Sequence, residues 1–248
     1  MELLKINNLS KVYTGKVSHT ALKNINLTIN KGDFVAVMGP SGSGKSTLLN
    51  VISTIDKPTS GEVIINSINP HKLKGQELSK FRRNELGFVF QNFNLLDTLT
   101  INENIVLPLT LEGVSIDKMN KKVIEVAKNL GIESILNKRT FEISGGQAQR
   151  TAVARGIINT PSILLADEPT GNLDSKATDD VMDIFTKLNN EKNVTTLMVT
   201  HEPYTASFCK KVIFIKDGEV YKELNKSTNK EEFYEQILSV LFHIGGGR

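Results

Sequence analysis

A glycine-rich segment directly after an apolar run is the feature that most constrains the fold of this chain. Residues 39–47 read GPSGSGKST and follow the apolar run FVAVM at 34–38. Between a strand and a helix, the pattern G-x-x-x-x-G-K-[ST] forms a loop whose backbone N–H groups surround a phosphate. Lys45 then reaches the terminal phosphates, and the Ser46 hydroxyl can ligate Mg²⁺. The sequence therefore predicts a nucleotide-phosphate site, with a helix that starts at residues 45–47.

Short apolar runs and helical patterns divide the rest of the chain. Runs that are apolar throughout predict strands buried on both faces of a parallel sheet, and alternating runs predict half-buried strands. The predicted strands lie at 3–9, 21–29, 34–38, 62–65, 163–166, 196–200 and 212–216. From about residue 92 to residue 160 the pattern is helical, for example at 117–130, and a further helix is expected over 176–189. The sequence therefore predicts an α/β fold with an inserted helical subdomain.

Acidic and imidazole side chains follow two of the predicted parallel strands. ILLADEP at 163–169 contains Asp167 and Glu168, and TLMVT at 196–200 is followed by His201. Because the carboxyl ends of parallel strands meet at one sheet edge, we expect these side chains to lie beside the phosphate loop. There Asp167 can hold the Mg²⁺ shell, Glu168 can polarise an attacking water, and His201 comes within reach of a γ-phosphate.

Composition narrows the class of protein. The longest unbroken apolar run, 34–38, is far shorter than the roughly 20 residues of a bilayer-spanning helix. The net charge of +3 is dispersed along the chain, so nucleic acid is not an expected partner. Cys209 is the only cysteine, which excludes an internal disulfide and fits a reducing compartment. The N-terminus lacks the apolar core of a signal peptide, so we expect a cytosolic protein.

The last part of the chain predicts a separate amphipathic helix over 230–244. Its polar side carries Glu232 and Glu235, which anionic lipid would repel, so we expect the apolar side to dock on folded protein. That surface could belong to this chain, to a second copy or to another protein. The docking side chains are expected to be Phe233, Ile237, Leu241 and Ile244.

A second anion-binding helix start is predicted at ISGGQAQR, residues 143–150. With this segment, the sequence resembles the ATPase subunits of ATP-binding cassette (ABC) transporters over nearly its whole length. The motifs that carry the resemblance are Tyr13, the phosphate loop, Gln91, ISGGQ, ILLADE, GNLD at 171–174 and His201. Two positions depart from the usual pattern, because Ile143 replaces the commoner Leu and Glu202 follows His201 where Asp is usual.

The resemblance implies a P-loop NTPase fold of ABC type. Its core is a mainly parallel sheet, with an N-terminal antiparallel β subdomain and a helical subdomain inserted at about 92–160. The ATPase domain would cover 1–224, and an amphipathic C-terminal helix extension would cover 225–248. The implied cofactors are ATP and Mg²⁺. Two copies are expected to sandwich two ATPs head to tail, so that Ser144 and Gly146 of one subunit contact the γ-phosphate held by Lys45 of the other.

The resemblance also implies roles for individual residues. Tyr13 would stack on adenine. The catalytic residues would be Lys45, Gln91, Glu168 and His201, and the metal ligands would be Ser46, Gln91 and Asp167. The nucleotide-binding residues would be Tyr13, Gly39, Pro40, Ser41, Gly42, Ser43, Gly44, Lys45, Ser46, Thr47, Ser144, Gly145, Gly146 and Gln147.

Longer strings narrow the resemblance to a subfamily. FQNFNLLDTLTINENI, GNLD and ISGGQAQR are similar to the lipoprotein-release, macrolide-export and cell-division branch. STIDKPTSGEV at 53–63, ASFCKKVIFIKDG at 206–218 and the tail resemble ATPases that protect Gram-positive bacteria from bacitracin- and nisin-like peptides. We expect a peripheral subunit on the cytoplasmic side of the membrane that powers a separate permease. An ATPase of a related lipoprotein-release, macrolide-export or cell-division complex stays open as the alternative.

The segment after Gln91 is the expected contact with the permease. Phe93, Leu95 and Leu96 stand in a turn-like context where a solvated loop would favour polar residues. The alternative is that these side chains pack the helical subdomain.

Other classes of protein fit less well. NKGD at 30–33 spells the guanine-reading N-K-x-D of GTPases, but only the strand at 34–38 separates it from Gly39, which leaves no base-binding loop. A DNA-repair clamp would carry a long coiled coil before Asp167, where no sustained heptads occur. A translation ATPase would hold two cassettes, and an adaptor with a dead nucleotide site would not keep Lys45 and Glu168.

Overall fold

Nine strands in two sheets and eight α-helices form the described part of the computed structural model, residues 1–15, 17–227 and 229–245. The strands are β1 (Glu2–Tyr13), β2 (His19–Asn30), β3 (Phe34–Met38), β4 (Ser60–Ile65), β5 (Leu86–Val89), β6 (Ile163–Asp167), β7 (Thr195–Val199), β8 (Lys211–Lys216) and β9 (Glu219–Asn225). The helices are α1 (Lys45–Ile52), α2 (Gly75–Glu85), α3 (Ile101–Leu111), α4 (Ile116–Asn129), α5 (Gly145–Ile157), α6 (Ser175–Lys192), α7 (Pro203–Ala206) and α8 (Lys230–Ile244). Short 3₁₀ turns occupy Pro70–Lys72, Glu133–Ile135 and Thr140–Glu142.

The main sheet has the strand order β5-β6-β7-β3-β8-β9. Its first five strands are parallel, and β9 pairs antiparallel with β8 at the edge. All residues of β3 and β7 are buried, as expected for strands that are covered on both faces. The predicted parallel core is therefore confirmed, and its strands all point their carboxyl ends toward the loop that follows β3.

A smaller antiparallel sheet of order β2-β1-β4 covers one face of the main sheet. Alternate residues of β3 point into two separate cores, because side chains of a strand alternate between its faces. Val35 and Val37 join the core under the small sheet and α1, whereas Ala36 and Met38 join the core under the helices. The predicted antiparallel N-terminal region is confirmed.

The range predicted for the helical subdomain holds α3, α4 and α5. α3 starts with a capping box in which Thr100 and Glu103 satisfy each other's backbone N–H groups, and Ser144 and Gln147 do the same at the start of α5. Ser144 is thereby fixed as the residue that precedes the first turn of α5.

The C-terminal helix α8 docks on its own chain. Its buried side chains, Phe233, Ile237, Val240 and Ile244, belong to the same core as Phe214 of β8, and α8 packs beside α7. Val240 takes the central place that the sequence predicted for Leu241, which is only half-buried. The helix is therefore rotated slightly from the predicted orientation. Residues 228 and 246–248 of the predicted extension lie outside the described part.

Among the described residues, no helix combines the length and the apolar character that crossing a membrane requires.

Candidate functional site

The phosphate loop between β3 and α1 is shaped by glycines that no other residue could replace. Gly44 has a φ of +106°, and a Cβ there would come within 2.4 Å of the Ala21 carbonyl oxygen. A Cβ on Gly39 would come within 2.1 Å of the Ile215 carbonyl oxygen. The loop therefore lies against β2 and β8 with its backbone closely packed, as a loop that presents N–H groups to a ligand requires.

Lys45 folds back over this loop. Its Nζ donates hydrogen bonds to the carbonyl oxygens of Gly39 and Pro40, each at 2.9 Å. The buried Oγ of Ser43 has no hydrogen-bond partner among the described residues. The Lys45 ammonium, which contacts only carbonyl oxygens, and the Ser43 hydroxyl, which has no partner among the described residues, could both bind an anion that carries several oxygens. The exposed loop residues are Pro40, Ser41, Gly42 and Ser46, and Thr47 is half-buried.

The two carboxylates at the end of β6, Asp167 and Glu168, interact electrostatically with the Lys45 ammonium. Burial lowers the pKa of Lys45, and the charges of Glu168 and Asp167 oppose that shift. Burial and the neighbouring Glu168 raise the pKa of Asp167, with Lys45 opposing. The described residues contain no group of three or more His, Cys, Asp or Glu that could hold a metal alone. Oxygen donors such as Asp167 and the Ser46 hydroxyl fit Mg²⁺, which binds few protein ligands and completes its shell with waters and substrate phosphates.

Glu168 and His201 meet at the sheet edge, as the parallel strands predicted. His201 Nδ1 lies 3.0 Å from Glu168 Oε2. The backbone of Glu168 has a φ of +42°, an uncommon conformation for a residue other than glycine, and its N–H donates to the Val199 carbonyl at 2.9 Å. This bond ties the turn after β6 to the end of β7, so the strained turn aims the carboxylate toward the imidazole.

Gln91 lies beside the turn that follows Glu168. A Cβ on Gly171 would come within 2.9 Å of Gln91 Nε2. The Asn172 amide donates to the Gln91 carbonyl oxygen at 3.1 Å and to Asn92 Oδ1 at 2.8 Å. Asn172 was predicted only as part of the GNLD motif, and the structure shows that it links the two loops.

In the segment after Gln91, the alternative that apolar side chains pack the helical subdomain applies to Phe93 and Leu95. Phe93 and Leu95 are half-buried against the helical core, and only Leu96 is exposed. Phe93 and Asn94 both have positive φ, and the Arg155 guanidinium donates to their two carbonyl oxygens. This turn directs the Phe93 ring toward the start of α5, where it lies beside Gly145.

Ser144, Gly145 and Gly146 line a separate cleft of about 260 Å³. Asn172, Asp174 and Lys176 are among the other residues that line this cleft, and no residue of the phosphate loop, 39–47, contributes to it. Ser144 and Gln147 cap the start of α5 at this cleft. One chain therefore carries two separate helix starts, one at α1 and one at α5, and the backbone N–H groups of a helix start are suited to an anion.

Glu202 has a structural role that sequence analysis missed. Its Oε2 accepts hydrogen bonds from the hydroxyls of Thr170, at 3.1 Å, and Thr205, at 2.9 Å. The residue after His201 therefore joins α7 to the turn that follows Glu168. One signal was visible in the sequence, the unusual Glu at this position.

Tyr13, at the end of β1, is half-exposed, and its hydroxyl donates to Asp56 at 2.8 Å. Burial and the bond to Asp56 raise its pKa, and a hydrogen bond with Thr47 opposes the shift. The ring therefore lies next to the phosphate loop.

A phosphate loop before α1, an acidic pair at the end of β6 and a histidine after β7 define a P-loop ATPase of the cassette type. The family described as ABC transporter matches residues 22–171, and the chain belongs to this family. It is 60% identical over 244 residues to the ABC transporter ATP-binding protein YxdL of Bacillus subtilis, covering 98% of this chain and 95% of YxdL. It is 46% identical over 248 residues to the bacitracin export ATP-binding protein BceA of Halalkalibacterium halodurans, covering 99% and 98% of the two chains.

A solved structure gives the same fold. It is the dimeric post-hydrolysis state of the cassette MJ0796 bound to ADP and Pi, with a TM-score of 0.82, 45% identity, and coverage of 90% of this chain and 98% of that chain. The predicted family, fold class and enzyme class are confirmed. The chain is an ATP-binding, ATP-hydrolysing component of a transporter.

Proposed function

We propose that this chain powers a separate membrane permease that protects a bacterium from bacitracin- or nisin-like peptides, and that it works on the cytoplasmic side of the membrane. The observation that carries the proposal is the extent of similarity to the bacitracin export ATPase BceA. That match spans 99% of this chain and therefore includes α8, whereas the MJ0796 cassette covers 90%. The C-terminal helix and the strings that precede it support the peptide-resistance branch.

In the phosphate site, we propose that Lys45 exchanges its bonds to the Gly39 and Pro40 carbonyls for the β and γ phosphates of ATP. Ser46, Gln91 and Asp167 would hold Mg²⁺. When bound, this ion neutralises charge on the phosphate oxygens. The glycine backbone of the loop donates its N–H groups to the same phosphates.

We propose that Glu168 accepts the proton of the attacking water. An ionised carboxylate is needed for this step, and the contact of Glu168 Oε2 with His201 Nδ1, at 3.0 Å, keeps the carboxylate oriented. His201 is exposed, which leaves its other ring nitrogen free to face a γ-phosphate. The Gln91 side chain lies against Gly171, in the turn after Glu168, and its backbone continues toward α3. A change in Gln91 when ATP binds would therefore be passed to the helical subdomain.

Two copies are proposed to close the site. The cleft at Ser144 and Gly146 contains no residue of its own phosphate loop, so it is available to the nucleotide of a second copy. Dimeric cassettes are described for MJ0796. Ser144, Gly145, Gly146 and Gln147 would then bind the γ-phosphate held by Lys45 of the other subunit.

The permease is proposed to dock in a cleft between the edge strand β5 and α3. This cleft of about 300 Å³ is lined by Phe88, Phe90, Leu107 and Leu111, with arginines at its rim. Leu111 is 64% exposed, which is unusual for a large apolar side chain beside an apolar cleft. Asn94, from the segment after Gln91 that the sequence predicted as the contact, also lines this cleft.

The test is co-expression of the tagged chain with its membrane permease, followed by pull-down and by measurement of bacitracin resistance in a strain that lacks the native gene. We expect the wild-type pair to restore resistance and Leu111→Asp to weaken the pull-down without lowering the melting temperature. Ile124→Asp, an exposed apolar side chain on α4, is the matched control because it adds the same single negative charge. A chain that binds no permease, or a pair that changes resistance to no peptide antibiotic, would contradict the proposal.

A further inference from the structure

Tyr13 would be poorly fixed without a side-chain partner. It is the last residue of β1, its ring is 40% exposed, and free aromatic side chains sample several χ1 rotamers. In the structure its hydroxyl donates to Asp56 Oδ2 at 2.8 Å. This bond, together with the bond between the same hydroxyl and Thr47, selects a ring orientation beside the phosphate loop.

Asp56 is itself held from three directions. Its Oδ1 accepts from Lys11 Nζ at 2.6 Å and from the Lys57 N–H at 2.8 Å. Its own N–H donates to the Asn50 carbonyl oxygen at 3.0 Å. Asn50 belongs to α1, the helix that carries the phosphate loop at its other end, so the carboxylate moves with the phosphate site as one body.

Lys11 adds a second contact to the ring. Its Nζ lies 4.7 Å from the centroid of the Tyr13 ring and also donates to the Lys57 carbonyl oxygen at 2.8 Å. A cation over one face of an aromatic ring leaves the other face for a planar partner. Although burial opposes it, the bonds from Lys11 and Tyr13 hold the pKa of Asp56 below its ordinary value, so the carboxylate stays charged at neutral pH.

We propose that Asp56, held by Lys11, is a positioning residue that fixes the Tyr13 ring as the platform for the nucleotide base. The inference rests on the proposed nucleotide site and adds the residues that set the position of the base relative to the phosphates. Asp56 touches no nucleotide atom. Asp56 orders the Tyr13 ring before the nucleotide binds, so binding costs less side-chain entropy. Its effect is therefore confined to ligands that carry a base.

The experiment compares ADP with pyrophosphate by calorimetry, because neither ligand is hydrolysed and only ADP has a base. Tyr13→Ala should weaken ADP binding about tenfold, equivalent to ~1.4 kcal/mol, and leave pyrophosphate unchanged. Asp56→Ala should weaken ADP about three- to tenfold, again without an effect on pyrophosphate. Glu2→Ala, which removes an exposed ion pair with Lys5 on the same strand, is the matched control and should change neither affinity.

A double-mutant cycle separates positioning from a general structural role. In the Tyr13→Ala background, Asp56→Ala should have no further effect on ADP, since there is no ring to position. Tyr13→Phe keeps the Asp56–Lys11 pair but removes the hydroxyl and its bonds to Asp56 and Thr47, so it should lose at least as much ADP affinity as Asp56→Ala. This variant tests the proposal even if Asp56→Ala folds poorly.

Equal losses for ADP and pyrophosphate in Asp56→Ala, a loss that persists without the Tyr13 ring, or wild-type ADP affinity in Tyr13→Phe would each overturn the inference. The variant Lys45→Ala distinguishes failure of the Asp56 inference from failure of the proposed nucleotide site. If Lys45→Ala binds both ligands as the wild type does, the phosphates lie elsewhere and the proposed nucleotide site fails with the inference.

Discussion

Two phenylalanines on α8 offer a matched test of how the C-terminal helix is held. Phe233 is fully buried in the core beneath α8, whereas Phe242, on the same helix, is 62% exposed. Truncation of a buried Phe to Ala removes its burial and leaves a cavity, which costs about 3–5 kcal/mol. An exposed Phe has little burial to lose, so Phe242→Ala should stay within about 0.5 kcal/mol.

For a chain of this size, each kcal/mol lowers the melting temperature by about 2–4 °C. Phe233→Ala should therefore lower it by roughly 6–20 °C. The helix is terminal and can detach before the rest unfolds, so the loss cannot exceed that of the chain truncated after Ser227. Differential scanning calorimetry of the three variants and the wild type measures all of these values.

Equal shifts for Phe233→Ala and Phe242→Ala would refute the docking described here. The reasoning would also fail if the truncated chain melted at the wild-type temperature but lost binding to anionic liposomes, since the helix would then lie on lipid. Unchanged liposome binding with a lowered melting temperature is the expected result, because the polar side of α8 is acidic at its start.

Three further outcomes are expected. In mixed dimers, Ser144→Arg in one chain and Lys45→Ala in the other should leave one intact ATP pocket and about half the activity. Both changes in the same chain should instead damage both pockets. Equal residual activity in the two arrangements would contradict a shared site. Phe93→Asp should lower the melting temperature, because the ring is half-buried against the helical core. An unchanged melting temperature would show that the ring does not pack there. The hydrogen bond to Asp179 and partial burial raise the pKa of Tyr204 to about 12, so the folded state keeps a proton that the unfolded chain loses from about pH 10. The free energy of unfolding should therefore fall between about pH 10 and 12, and Tyr204→Phe should flatten that fall in urea titrations.

Local patterns predicted the elements that carry strong periodic or motif signals. The helix over 230–244 was predicted at its observed bounds because its apolar period is clear, and the structure shows that Asn229 caps its first turn. The phosphate loop and the acidic end of β6 were predicted because a buried strand precedes each. The edge strands β5 and β9 were missed, because β5 has four residues directly after a helix and β9 is mostly exposed.

Contacts between distant segments could not be predicted. Tyr13 and Asp56 are 43 positions apart, and nothing local indicates their hydrogen bond. The inward turn of Phe93 depends on Arg155 of α5, which is 62 positions away. The shift from Leu241 to Val240 reflects the rotation of α8 on its docking surface, a quantity that periodicity gives only to within about one residue.

The most direct test of the catalytic account is the oligomeric state of the Glu168→Gln protein in the presence of ATP and Mg²⁺. Size-exclusion chromatography measures it, together with an assay of phosphate release. The amide cannot accept the proton of water, and Asp167 remains to hold the metal, so this variant should bind ATP, release no phosphate and elute as a dimer. The exposed Glu191→Gln of α6 is the matched control and should behave as the wild type does. A Glu168→Gln protein that stays monomeric with ATP, or that releases phosphate at the wild-type rate, would contradict the account.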